Sequence, residues 1–419
     1  MALDVEQQSR QGQSQSRPHI YEIDPLRAVT ALCVVGVHAV AFTVFLNQSA
    51  VGAQFQNAIV VALHYTRELF MFVSAFALVY VYYGKPFNLK RFWKKRSIGI
   101  LIPYCVWSAV YVYANAPRLS FGQYIQTTIF DILTGTASFQ LYYILLTLQF
   151  YIVLPLFLLF LKYVERYPWK TLIVSFIIQV AMLYLDYHYL QTGSLASSGV
   201  WQFIARYQGS FVLTYQLYFI LGAMAAIYFQ QVQSFLLHHG WWIAVGFTVI
   251  IAALWAHFFI QIDVYHEPMG YAVSVLQPIM TPYSLAVIVF FTWLASRWTR
   301  QVDTAQHPKG YKFWQTLSDA SFGVYLIHVL FLIALLHTLV PAMPVSWPVA
   351  LRVFLTWFLT ASAAVLTTII LMNIPIVSHL VGRSRPSPRL VMLRDRIRNL
   401  FVHSPEVKKG QSPHDPQQV

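Results

Sequence analysis

Few ionisable side chains stand inside the apolar stretches of this chain, and two of them are histidines, His38 and His328. Arg27 and His38 are eleven residues apart. At 100° per residue that separation ends about 20° past three full turns, so both lie on one helical stripe, about 16 Å apart along the axis. A cation at one end and an imidazole at mid-depth suit a long donor with an anionic head and a reactive far end. The alternative is an arginine that only fixes topology and a histidine bonded to a neighbouring helix. Ser321, Tyr325 and His328 follow an i, i+4, i+7 pattern and share a face of a later segment. His328 would stand about 18 Å from Thr316, where that segment starts, a depth like that of His38. Two such histidines could form a reacting site, or satisfy buried polar neighbours. Glu68, beside Arg67, lies in the outer part of the second apolar segment. Ionisable groups at such depth are expensive and are functional candidates by default. No Cys or carboxylate cluster stands at ligand spacing, so no metal is expected.

A second group is basic. Lys85, Lys90, Arg91, Lys94, Lys95 and Arg96 surround Phe92 and Trp93 in what reads as a loop after the second segment. Such a cluster could form a lip for phosphates, with the aromatic rings stacking an adenine. It could equally be a topological anchor.

The elements that hold these residues follow from composition. The chain has 419 residues, of which 58% are hydrophobic and 10% charged, with a mean hydropathy of +0.55. A soluble chain carries about 25% charge. A soluble enzyme, a disordered scaffold and a secreted disulfide framework are therefore excluded. Cys33 and Cys105 sit in apolar runs and read as small buried hydrophobes. The first nineteen residues are polar and have no apolar core, so no cleavable signal peptide is expected. Ten segments are apolar and long enough to span a bilayer, approximately 26–46, 62–83, 98–114, 141–161, 170–187, 209–229, 241–260, 272–296, 316–339 and 350–374. Residues 55–63 read as an interfacial turn or helix. The fold class is all-α, a polytopic membrane protein with about ten transmembrane helices.

Charge sets the orientation. With both termini cytoplasmic, only Arg67, Arg118, Arg206 and Arg352 fall on the outer side, and every other Lys and Arg falls inside. That asymmetry absorbs most of the net charge of +13 without a nucleic-acid partner. Residues 1–20 read as a disordered cytoplasmic N-terminus, 21–380 as the transmembrane domain and 381–419 as a basic cytoplasmic tail. Within the tail, 389–403 has apolar residues at helical spacing beside arginines, as in an amphipathic helix on the inner leaflet. A solvated basic tail is the alternative.

Five motifs in order resemble the acyltransferase 3 family of bacterial integral-membrane O-acyltransferases, over roughly residues 21–380. "YEIDPLRAVTALCVVGVHAV" resembles its Asp-x-Leu-Arg opening and membrane histidine, matched by Arg27 and His38. "RELFMFVSAFALVY" resembles its acidic, Leu-Phe-Phe, Ser-Gly-Phe block, with Glu68 and Ser74 in place and Ala75 where glycine is usual. "FWKKRSIGILIPYCVWS" resembles the basic approach to its third span; Arg96 matches the first arginine of Arg-x-x-Arg and Gly99 replaces the second. "LYYILLTLQFYIVLPLF" and "LSDASFGVYLIHVLFL" resemble two later spans, the last matching Ser321, Tyr325 and His328.

The resemblance implies an acyltransferase of the class that transfers groups other than aminoacyl groups. Its donor would be cytoplasmic acyl-CoA, carrying acetyl or another short acyl group. Its acceptor would be a hydroxyl of an extracytoplasmic glycan or glycolipid at the cell surface, and its place the plasma membrane. Arg27, Arg91, Lys94, Lys95 and Arg96 would meet the CoA phosphates. His38 would act as general base, or carry the acyl group covalently. Tyr325, Ser321 or a histidine would stabilise the oxyanion, Ser74 and Ser321 would contact substrate, and Glu68 and His328 would complete the site. The competing class is an exporter or flippase of a glycan or lipid-linked sugar.

Overall fold

Long apolar runs become helices here because, away from water, a helix satisfies its backbone N–H and C=O groups within its own segment. The structure is a computed structural model and describes residues 18–191, 199–300 and 307–382. Among the described residues every regular element is helical. The main ones are α1 (Ile23–Phe42), α2 (Ala50–Leu63), α3 (Thr66–Tyr82), α4 (Leu89–Arg96), α5 (Ile102–Asn115), α6 (Phe121–Thr134), α7 (Tyr142–Val164) and α8 (Pro168–Leu185). They continue with α9 (Gly199–Tyr207), α10 (Gln216–Ile227), α11 (Phe229–His238), α12 (Gly240–Phe259), α13 (Met280–Thr299), α14 (Tyr311–His337) and α15 (Val349–Asn373). Some hydroxyls inside them bond the carbonyl one turn back, as Thr30 does to Leu26 and Thr360 to Thr356, which satisfies those two polar groups within their own helix.

By length and composition, eight helical segments among the described residues could cross a membrane. A ninth is added if the bent pair Gly199–Ser210 and Val212–Ile227, 51° apart, counts as one. The chain is thus an all-α polytopic membrane protein. The sequence reading also took 272–296 as a span. Its helix, α13, has 20 residues but includes Thr281, Ser284, Thr292 and Ser296, which lower its hydropathy. Hydrogen bonds nevertheless show α13 running the length of α3. Tyr283 donates to the Ala62 carbonyl at 2.6 Å, beside the break that precedes α3. At the other end of α13, Thr299 donates to Glu22 at 2.6 Å, beside the start of α1. α10 follows the same course. It begins after Tyr215, whose ring lies 4.6 Å from the Arg67 guanidinium, and it ends at Tyr228, which donates to the Glu165 carbonyl at the end of α7.

One expectation is sharpened and one changes. The stretch 55–63, read as an interfacial turn or helix, is part of a fourteen-residue helix, α2, capped by Ser49, whose side chain accepts from the Gly52 N–H at 3.1 Å. α2 meets α3 across a break at His64 and Tyr65. The basic cluster is mostly not a loop. Asn88 caps α4 by accepting from the Arg91 N–H at 2.9 Å, and Lys90 to Arg96 are helical. The proposed 389–403 helix and residues 1–17 lie outside the described residues.

α1 stands at the centre, packed by α2, α3, α14 and α15. α3 pairs most extensively with α10, and Gly222 makes that approach possible: a Cβ there would collide with the Phe72 carbonyl. α1 and α14 run parallel, since Arg27 contacts Ser321 and His38 contacts His328. The bundle therefore has an Arg27 end and a far end, and the seam between α1 and α14 joins them.

Candidate active site

At the Arg27 end, the Arg27 Nη2 donates to Ser321 Oγ at 3.3 Å, and Ser321 in turn donates to the Ser318 carbonyl at 2.7 Å. The Arg96 guanidinium lies 4.9 Å from the Tyr151 ring centre and 5.5 Å from that of Phe92. Arg27 and Arg96 both act electrostatically on Tyr151, so α1, α4, α7 and α14 bring two guanidinium groups to one place. Arg96 Nε is buried and has no hydrogen-bond partner among the described residues. Arg91, Lys94 and Lys95 lie exposed on α4 outside this pair. Gly99, standing where an arginine was expected by resemblance, belongs to the turn Ser97–Leu101 and packs against Gly382.

Deeper in the seam, the imidazoles of His38 and His328 stack with centroids 5.4 Å apart and planes at 19°. Phe139 also meets His38, edge-on, with ring centroids 4.6 Å apart. His38 is half-buried, whereas His328 is fully buried. The His328 Nδ1 lies 2.9 Å from the Tyr325 carbonyl and 3.1 Å from that of Val324. Carbonyl oxygens only accept, so Nδ1 carries the hydrogen. In the neutral ring this leaves Nε2 with a bare lone pair. Nε2 is buried and has no partner. The backbone of α14 thus fixes the tautomer that exposes a basic nitrogen.

Tyr325 donates to the Gln140 carbonyl and lies 5.7 Å, ring to ring, from Tyr143. The Tyr143 hydroxyl reaches Ser74 Oγ at 3.5 Å. Ser74, Tyr325, His328 and His38 therefore form one connected path. The hydrogens of Tyr325 and Ser321 are both committed to carbonyls.

Glu68 is held in a buried ion pair with its neighbour. Glu68 Oε1 accepts from Arg67 Nη2 at 2.6 Å and from Nε at 3.2 Å, while Arg67 also reaches the Val275 carbonyl at 3.4 Å. Glu68 Oε2 is buried without a hydrogen-bond partner. The sequence reading missed His64, which lies in the break before α3. Its Nδ1 is buried and unpartnered, and it is close enough to His38 and Arg67 to interact electrostatically. Its spacing to Glu68, i to i+4, was the available signal.

With this geometry in hand, comparison with known families is decisive. A family model for an acyltransferase domain matches residues 20–373. The chain belongs to the acyltransferase 3 family. Searches of curated proteins and of solved structures returned no match. The match covers the whole seam, from Arg27 to His328, and supports membrane acyl transfer as the activity of the chain.

Proposed function

We propose that this acyltransferase moves an acyl group, acetyl or another short one, from cytoplasmic acyl-CoA to a hydroxyl of an extracytoplasmic glycan or glycolipid. The observation that carries the reading is the seam itself, with two guanidinium groups at one end and a stacked histidine pair at depth on the same two helices. The CoA phosphates pair with Arg27 and Arg96, and Lys94, Lys95 and Arg91 add long-range attraction. The thioester then extends along the seam toward His38.

His38 is the general base because it is the accessible histidine of the pair. Its imidazole removes the proton from the acceptor hydroxyl as the oxygen attacks the thioester carbonyl. The C–S bond breaks on collapse of the tetrahedral intermediate, and the proton on His38 returns to the CoA thiolate. With Ser321 and Tyr325 already donating to carbonyls, the newly formed His38 imidazolium supplies a donor for the oxyanion. Glu68 Oε2 has a free lone pair for an acceptor hydroxyl, and Ser74 lines the approach. Both termini are cytoplasmic in the plasma membrane under this reading, as the charge asymmetry favours.

The test is transfer from labelled acyl-CoA by purified protein in vesicles. Acyl-CoA supplied on the Arg27 side should label a glycan or glycolipid on the opposite side, with release of one CoA thiol per ester formed. Movement of unmodified glycan across the bilayer without thiol release would replace this reading with an exporter.

A further inference from the structure

Arg352 is the only ionisable residue of α15. It lies in the helix's second turn and is 7% exposed. Its Nε is sealed from solvent with no hydrogen-bond partner. Among the described residues no carboxylate lies within ion-pair distance of its guanidinium, and no side chain or carbonyl accepts from it. A buried charge is ordinarily paired, because taking it out of water unpaired is costly. The undescribed residues 192–198 contain no acidic side chain. The other undescribed stretches join the chain near Pro18, Arg300, His307 and Gly382, all at the Arg27 end.

The position of Arg352 is as informative as its lack of a partner. Trp357 donates to the Leu32 carbonyl at 3.1 Å, which fixes the antiparallel register of α15 on α1. Arg352, five residues earlier, falls about 7.5 Å further from the Arg27 end, level with His38. The contact of Gly323 with Thr368 fixes the register on α14 and sets Arg352 further still toward the far end. Helical side chains lean toward the N-terminus of their helix, which in α15 is the far end. The guanidinium is therefore directed away from the donor cluster, on the side of the histidine pair from which an acceptor would come. The Val349 and Ala350 N–H groups, at the positive end of the α15 dipole, accompany it.

We propose that Arg352, with the first turn of α15, is an anion site that receives a carboxylate or phosphate carried by the acceptor. The site binds planar or tetrahedral oxyanions through the guanidinium fork and holds the acceptor hydroxyl toward His38. The identity of the anion as part of the acceptor rests on the acyl-transfer reading; the existence of the anion site does not.

The experiment uses the full chain in nanodiscs of phosphatidylcholine, with glucuronate and inorganic phosphate as probes and thermal unfolding as the readout. Millimolar glucuronate or phosphate should raise the Tm of the wild type by about 2 °C or more, and leave Arg352→Gln and Arg352→Met unchanged. Without probe, Arg352→Met should be at least as stable as the wild type, because it removes an unpaired buried charge. Equal stabilisation of wild type and variants would overturn the site. Severe destabilisation of both variants would also overturn it, by showing that Arg352 has a structural partner. In nanodiscs containing phosphatidylglycerol, the probe response should persist. Its disappearance, with the wild type already stabilised over Arg352→Met, would identify a lipid headgroup as the anion and overturn the acceptor assignment. None of these readouts depends on acyl transfer, so the failure of either proposal is visible separately.

Discussion

His38 on α1 and His328 on α14 stack face to face, 5.4 Å between ring centroids, although 290 residues separate them in the chain. The two rings differ in what surrounds them. His328 is fully buried and oriented by two α14 carbonyls, while His38 is half-buried and meets the rings of Phe139 and His328. One ring is thus held by backbone carbonyls, and the other is partly open to solvent.

The first prediction follows for His38. His38→Ala should lower kcat by about 10²–10⁴, the usual contribution of a general base, with the affinity for acyl-CoA close to wild type. His38→Gln should be as inactive, since it keeps hydrogen bonding but takes no proton at neutral pH. The measurement is single-turnover acyl transfer beside donor binding. Full activity in a well-folded His38→Gln would move the base to His328.

His328 can be tested by splitting its two nitrogens. In His328→Asn the amide N–H₂ can still donate to the Val324 and Tyr325 carbonyls, so folding should be retained. The basic Nε2 is lost, and with it the ring that stacks on His38. Transfer should fall by at least about tenfold, which corresponds to roughly 1.4 kcal/mol in the barrier, at unchanged Tm. An active His328→Asn would reduce His328 to a packing residue.

The donor cluster makes a different kind of prediction. Arg96→Ala should raise the KM for acyl-CoA and weaken its binding more at low salt than at high salt, because the interaction is screened. Lys94→Ala with Lys95→Ala should have a smaller effect, since both side chains are exposed. If CoA and its dephosphorylated fragment bound equally to the wild type, these residues would be topological anchors alone.

Arg67 and Glu68 are 7% and 2% exposed, and removing one partner leaves a buried charge. Glu68→Gln should cost about 3–5 kcal/mol of stability. Adding Arg67→Met to it should restore much of the loss, because both charges are then gone. Thermal unfolding of the two variants decides this. A double variant no more stable than Glu68→Gln would show that Arg67 depends more on the Val275 carbonyl and the Tyr215 ring than on Glu68.

Much of this arrangement is legible in the sequence because helical periodicity is. The common stripe of Arg27 and His38, and that of Ser321, Tyr325 and His328, follow from 3.6 residues per turn, and both survive in the α1–α14 seam. What periodicity does not carry is which helices meet. Phe139 reaches His38 from a segment between helices, and Tyr143 links Ser74 to Tyr325 from α7. Neither contact leaves a mark in local spacing. Arg352 read as one of four outer-side charges, and only its burial without a partner distinguishes it. The basic stretch read as a loop because its polarity hides a short helix, which Asn88 nucleates by capping.

The last prediction concerns pH and lies outside the spanning segments. His19 Nε2 bonds Asp24 Oδ2 at 2.8 Å, tying the chain before α1 to its first turn. The hydrogen bond His19 donates to Asp24, with the charges of Asp24, Asp319 and Glu22, holds the His19 pKa above its ordinary value of 6.5, against the opposing effect of burial. The folded chain therefore binds this proton more tightly than the unfolded chain. The stabilisation is complete below the ordinary value and is lost as pH rises through the raised one. Between about pH 6 and 8, the Tm of the wild type should fall relative to that of His19→Asn, which keeps a donor for Asp24 but does not titrate. His19 is partly exposed, so the difference should be small and should shrink with added salt. A wild-type Tm that rose relative to His19→Asn across this window would show that His19 is held neutral in the fold, contrary to its bond with Asp24.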